Sequence, residues 1–161
     1  MAERDDQEII LTKEGLERLE KELDYLKSTR REELAERIKQ AIAFGDLSEN
    51  SEYEDAKNEQ AFLEGRILNL EKTLRNARLI EESEVSAEMV TLGSKVEIQE
   101  TKSKKKMTYT LVSSVEANMR EGKMSNESPV GKAIMGQRAN TTVNVDTPSG
   151  MLKYKILKVE I

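Results

Sequence analysis

Two stretches of heptad-spaced apolar residues, separated by a short acidic turn, restrict the first half of this chain to one kind of structure. Leu16, Leu19, Leu23 and Leu26 recur at 3-4-3 spacing behind Thr12, a residue suited to cap a helix N-terminus. The next seam positions are Leu34, Ile38 and Ala41, so the step from Leu26 passes through Arg30 by two spacings of four. That is a stutter, which locally unwinds a supercoil while the helix continues. Beyond the turn, Tyr53 and Ala56 open a second seam that runs through Leu63, Ile67, Leu70, Leu74 and Ala77. Each segment spans about 30 residues, or roughly 45 Å of helix at 1.5 Å per residue. A short connection favours antiparallel packing within one chain, because a parallel homodimer would leave the turn without a role. The mixed charges outside the seam, among them Arg30, Arg31 and Arg37 with Glu32 and Glu33, read as a solvated face.

The turn itself reads Gly45-Asp46-Leu47-Ser48-Glu49-Asn50-Ser51-Glu52-Tyr53 and puts carboxylates at the far end of a hairpin. One reading is structural: Asp46 is a helix N-cap and Glu49, three residues on, completes a capping box, with Ser51 and Glu54 as a competing start. The other is functional. Residues three apart at a helix start share a face, so Asp46 and Glu49 could share a divalent cation or position a water. Two carboxylates alone make a weak Mg²⁺ site, since the ion takes six oxygens and leans on waters and substrate phosphates for the rest. A partner would have to complete it.

Composition narrows the chemistry. The chain has no cysteine and no histidine, which removes disulfides, thiolate zinc sites, Cys nucleophiles and the commonest general base. No apolar run approaches the roughly 20 residues of a membrane span, and Met1-Ala2-Glu3-Arg4-Asp5-Asp6 is not a signal peptide, so the expected location is the cytoplasm. The net charge of −5 hides an asymmetry: residues 1–85 hold 14 basic and 23 acidic side chains, −9, whereas residues 86–161 hold 12 and 8, +4. Such a split fits two modules facing different fields.

From Gly93 the periodicity changes to two, with Val96 and Ile98, then Met107, Tyr109 and Leu111, reading as paired strands. Ser128-Pro129 supplies an N-cap followed by proline at the first helical position, and Gly136 ends the short helix Val130 to Met135. Thr141 to Val145 and Leu152 to Ile161 are two more strands joined through Pro148-Ser149-Gly150. Lysines 102, 104, 105 and 106 could touch nucleic acid, although a solvated loop or a guarded sheet edge accounts for them as well. Tyr109 and Tyr154 are the only aromatics after residue 90, so no stacking platform accompanies these lysines and sequence-specific recognition is not supported. The expected fold class is α+β: an antiparallel coiled-coil hairpin over 1–85, a linker over 86–92, and a β-sheet domain with one short helix over 93–161.

The order of parts, hairpin, acidic turn, then Ser125-x-x-Ser128-Pro129-Val130-Gly131-x-Ala133-Ile134-Met135-Gly136 in a β module, closely resembles the GreA/GreB family of bacterial transcript cleavage factors. The resemblance covers nearly the whole chain. It implies an FKBP-like C-terminal domain that binds RNA polymerase, and a hairpin that enters the enzyme's secondary channel to reach the nascent RNA 3′ end and the nucleic acid of a backtracked elongation complex. In that reading the chain is a monomeric, non-enzymatic factor that stimulates cleavage by the polymerase active site. Asp46 and Glu49 fall on the family's two tip acids, which help hold a second Mg²⁺ and orient the attacking water. The phosphate and the polymerase's own metal would supply the ligands that two carboxylates lack. Lys57 stands where the family places a basic residue near the RNA, whereas Ile42 stands where relatives often carry arginine. Ser128 and Pro129 match the signature near the implied polymerase-docking surface.

Three competing functions are distinguishable. A Gre-like factor that occupies the channel without stimulating cleavage would be marked by altered tip acids, and both are present here, although Glu52, Glu54 and Asp55 add further negative charge. A prolyl isomerase would need an aromatic-lined pocket, for which the second half has only two tyrosines. A structural coiled-coil adaptor explains the rod and leaves the β-module motif unexplained.

Overall fold

The computed structural model describes residues 7–45 and 49–161, which form two compact units. One comprises Gln7 with Leu16–Ala77 and the other Glu8–Gly15 with Arg78–Ile161. The boundary therefore falls inside the first helix, and the expected linker 86–92 is part of the second unit. The reason is local: Val90 is fully buried, its N–H donates to the Gln137 carbonyl at 2.8 Å and its carbonyl accepts from Gly136 N–H at 2.9 Å.

The hairpin consists of α1 (Lys13–Tyr25), a π-helical turn (Leu26–Arg30), α2 (Arg31–Ala43) and, beyond the connecting turn, α3 (Ser51–Arg75). The π turn lies at the stutter, and Arg31 N–H bonds back five residues to the Leu26 carbonyl. A wider turn absorbs the surplus residue, so the seam returns to register at Leu34 without the helix breaking. Leu34, Ala56, Leu63 and Ile67 make a buried cluster, with Leu23, Leu26 and Ile38 packed against it. Leu74 is only half-buried and α3 ends at Arg75, so Ala77 belongs to a strand rather than to the helical seam.

The arginines expected on a solvated face instead pair across the hairpin. Arg31 grips Glu64 with two parallel bonds of 2.9 and 2.8 Å, Arg66 does the same to Glu22, Arg37 reaches Glu59 and Glu52, and Arg30 also pairs with Glu59. From Arg31–Glu64 to Arg37–Glu59 the partners run in opposite directions, which fixes the antiparallel sense. Arg31 holds the Glu64 carboxyl below the ordinary value of 4.5, and Arg78 and Lys158 do the same for Glu84 and Glu160. Between the lowered and ordinary values the unfolded chain binds more protons, so stability there rises with pH. The urea midpoint should accordingly hold steady from about pH 7 to about pH 5 and fall as the pH drops below the unfolded value near 4.5. In a Glu64→Gln variant the acid limb of that curve should be shallower, measured by circular dichroism across the series.

β1 (Ile9–Leu11) and β2 (Ala77–Leu79) make a two-stranded sheet. Thr12 caps α1, its Oγ1 accepting from Gly15 N–H at 3.0 Å, in line with its position in the sequence. The buried carboxylate of Glu116 in turn accepts from Thr12 N–H at 2.9 Å and from the Thr12 hydroxyl. This approach explains a glycine inside a helix: a Cβ on Gly15 would lie 2.0 Å from Glu116 Oε1. The main sheet is β5-β4-β3-β7-β6, built from β3 (Lys95–Glu100), β4 (Lys106–Val112), β5 (Lys123–Ser125), β6 (Thr142–Thr147) and β7 (Gly150–Glu160). All neighbours are antiparallel except β4 and β5. One face carries Val96, Ile98, Leu111, Val145, Ile156 and their neighbours, with the short helix α4 (Pro129–Ile134) packed against it through Ile134, Val130 and Ala133. The opposite face carries mainly polar side chains, with the exposed Met151 among them, the alternation expected of a half-covered antiparallel sheet. The three-residue β5 is too short to show a periodicity in the sequence.

Candidate functional site

Among the described residues, the side chain of Asn50 closes the hairpin turn. Its Oδ1 accepts from Tyr53 N–H at 3.2 Å, which makes it the N-cap of α3, while its Nδ2 donates to the Ala41 carbonyl at 2.6 Å in the last turn of α2. A single amide thus satisfies an orphan donor at one helix start and an acceptor at the other helix end. The cap of α3 is not Ser51, and Glu49 precedes it; the arrangement read for Asp46 involves a residue outside the described ones. The amide joins the two helix termini through separate atoms, Oδ1 accepting at the start of α3 and Nδ2 donating to the end of α2, where an ionised carboxylate could only accept. Asn50→Ala should cost about 1 kcal/mol, seen as a lower urea midpoint with an unchanged slope.

Glu49 is exposed and has no hydrogen-bond or ion-pair partner among the described residues. Asp46 lies outside the described residues. Glu52 is engaged with Arg37 at 3.5 Å, so it contributes to the hairpin rather than to a free acidic set. Lys57 is exposed and its ammonium bonds Gln60 Oε1 at 3.0 Å, a neutral partner that leaves its charge uncompensated. Ile42 and Phe44, at the end of α2, are 49% and 83% exposed, so apolar rather than charged groups flank the turn on that side. Among the described residues no group of three or more acids is gathered that could hold a metal by itself.

In the second unit Ser128 is the N-cap of α4, accepting from Gly131 N–H at 3.1 Å and donating to the Ser125 carbonyl at 2.6 Å. Its hydroxyl is committed within the fold, and Pro129 is the member of the pair that faces solvent. Pro129 borders an open depression whose lining includes Glu127, Lys132, Asn144 and Asp146 and no aromatic side chain. That lining gives a proline-binding pocket nothing to be built from.

These two features, an acid-bearing turn on a long hairpin and a capped short helix on a five-stranded sheet, define a two-module protein. The N-terminal transcription elongation factor family model matches residues 9–79, and the GreA/GreB C-terminal model matches residues 85–161. The transcription elongation factor GreA of Syntrophomonas wolfei is 62% identical over 156 residues, covering 97% of this chain and 98% of that protein. Its namesake in Acetivibrio thermocellus is 50% identical over 152 residues, 94% and 96% of the two chains. A crystal structure of GreA factor homolog 1 (Gfh1) of Thermus thermophilus is 34% identical, with 96% and 100% coverage and a TM-score of 0.44. The chain belongs to the GreA/GreB family of transcription elongation factors. No helix among the described residues is long and apolar enough to cross a membrane.

Proposed function

We propose that this elongation factor binds RNA polymerase through its C-terminal unit, presents the hairpin turn at the polymerase active site, and stimulates the enzyme's own hydrolysis of backtracked nascent RNA. The observation that carries this reading is the release of Glu49 from structural duty. Asn50 performs the capping that would otherwise account for the acid, and an exposed carboxylate without a partner among the described residues is available for chemistry.

The donor set fits a hard cation as a partial ligand set: carboxylate oxygens from Asp46 and Glu49, with the remaining positions filled by water, phosphate and polymerase groups. When bound, Mg²⁺ would stabilise charge on the phosphoryl oxygens and lower the pKa of a coordinated water. The chain's own contribution is positioning. Asn50 fixes the start of α3, so the carboxylate beside it is held at a defined place relative to the hairpin axis. Lys57, two turns into α3, offers an ammonium to the RNA phosphates, and the surface around Pro129 is the proposed docking contact, with Ser128 shaping it from within. The chain needs no active site of its own, and its cofactor is the polymerase's Mg²⁺.

The test is a backtracked elongation complex carrying 3′-labelled RNA. Addition of the chain should speed release of short 3′ fragments only when both Mg²⁺ and polymerase are present. Binding without acceleration would replace this reading with that of a channel-occupying regulator.

A further inference from the structure

Glu116, in the turn after β4, is only 7% exposed and directs both carboxylate oxygens at one residue 104 positions earlier. Its Oε2 accepts from Thr12 N–H at 2.9 Å and its Oε1 from the Thr12 hydroxyl. That hydroxyl in turn accepts from Gly15 N–H at 3.0 Å, so the carboxylate is linked through Thr12 to the first turn of α1. Gly15 lets the turn come this close, since a Cβ there would lie 2.0 Å from Oε1. Two more ties act on the same segment. Lys123 on β5, with a side chain only 14% exposed, lies 3.7 Å from Glu14 Oε1, and the Leu11 carbonyl accepts from Ile80 N–H at 2.9 Å. All of these residues belong to the second unit, whereas the helix that begins there runs on from Leu16 into the hairpin.

Stability alone is a weak reason for this arrangement. Thr12 caps α1 through its own hydroxyl, and burying a carboxylate carries a desolvation cost that its hydrogen bonds do no more than offset. What a buried, doubly bonded charge does well is fix one arrangement against near alternatives, because charge-assisted bonds are directional and about twice as strong as neutral ones. The helical arm that starts at this turn, from Lys13 to Ala43, is about 30 residues and so roughly 45 Å long. A tilt of about 5° at its root would displace its far end by about 4 Å, whereas a catalytic group has to be held to within about 0.5 Å.

We propose that Glu116 is a positioning residue for transcript cleavage: by holding the first turn of α1 on the second unit, it sets where the hairpin carries Glu49 once that unit is docked on polymerase. On the cleavage reading above, on which this role rests, Glu116 acts through the helix rather than by touching RNA or metal.

The test titrates the full chain into backtracked complexes with 3′-labelled RNA, so that the cleavage rate at saturation and the concentration giving half of it are read separately. Glu116→Ala should lower the saturating rate about tenfold, within the loss expected of a misplacement on the order of 1 Å, and leave the half-saturating concentration within about twofold of wild type. In the same variant, amide hydrogen exchange over residues 12–17 should become faster. Thr12→Ser, which keeps both donors, should retain the wild-type rate. Gly15→Ala should lower the rate as Glu116→Ala does, because its Cβ displaces the carboxylate, and in the Glu116→Ala background it should cause no further loss. Ile156→Val, a change in the core of the second unit away from Glu116, should lower the urea midpoint and leave the saturating rate unchanged, which separates positioning from stability. A wild-type rate in Glu116→Ala, a loss confined to the half-saturating concentration, additive losses in the Gly15→Ala/Glu116→Ala pair, or an equal loss in Ile156→Val would overturn the proposal alone. A wild type that binds polymerase and does not stimulate cleavage would overturn the cleavage reading and the proposal with it.

Discussion

A Glu49→Gln variant is expected to bind RNA polymerase as tightly as the wild type and to stimulate transcript cleavage on the order of 10²-fold less, the scale of removing one preorganised electrostatic group from around a transition state. The substitution keeps the shape of the side chain and removes the charge. Since Glu49 makes no hydrogen bond or ion pair among the described residues, it should leave folding untouched. Asp46→Ala should behave in the same way in the 3′-labelled RNA assay. Glu52→Gln provides the contrast, because Glu52 already pairs with Arg37 and removing one exposed pair should leave cleavage within about twofold of wild type. A Glu49→Gln protein that retains full stimulation would remove the tip acid from the chemistry. Equal polymerase binding by all variants separates this outcome from a docking defect.

The largest loss of stability is expected at Gly131. A Cβ there would lie 2.0 Å from the Ser125 carbonyl oxygen and 2.9 Å from Ser128 Oγ, and the first of these is backbone that cannot swing aside. Gly131→Ala should therefore cost about 3 kcal/mol through overpacking, with a matching fall in the urea midpoint. Ser128→Ala removes only the cap and should cost about 1 kcal/mol. The two measurements separate close approach from capping at the same helix start. If Gly131→Ala is no worse than Ser128→Ala, the tight packing between α4 and the Ser125 turn is not what requires glycine. Both variants also bear on docking, because Pro129 sits between them: reduced polymerase binding by a folded Ser128→Ala protein would tie the cap to the docking surface.

Several features are legible in the sequence because they depend on local spacing. The heptad seams locate both arms of the hairpin, the double step of four through Arg30 locates the π turn, and Thr12 and Ser128 are recognisable caps. Proline at the first position of α4 and the turn before Gly150 are equally local, as are the alternating strands. Other features are not legible because they join residues far apart in the chain. Nothing near Glu116 announces that it will receive Thr12, 104 residues away, and Gly15 looks like a helix flaw until that carboxylate is placed against it. Arg31 and Glu64 each look like one more surface charge. Asn50 is hidden because acids and hydroxyls around it fit the cap rules as well, and only the position of the Ala41 carbonyl favours an amide.

The sequence by itself determined the two arms of the hairpin, the longer alternating strands and the capped helix α4, and, through the turn and the Ser128-Pro129 motif, which family the chain resembles. These are consequences of backbone preference and of side-chain period, and they act over a few residues. Only the tertiary structure decided what each polar group is used for. It committed Asn50 to closing the hairpin and left Glu49 without a described partner. It assigned Ser128 to the interior of a turn and Pro129 to solvent. The physical reason is that a polar side chain's role depends on which donors and acceptors chain folding brings within about 3 Å of it, and that information is not contained in its neighbours along the sequence.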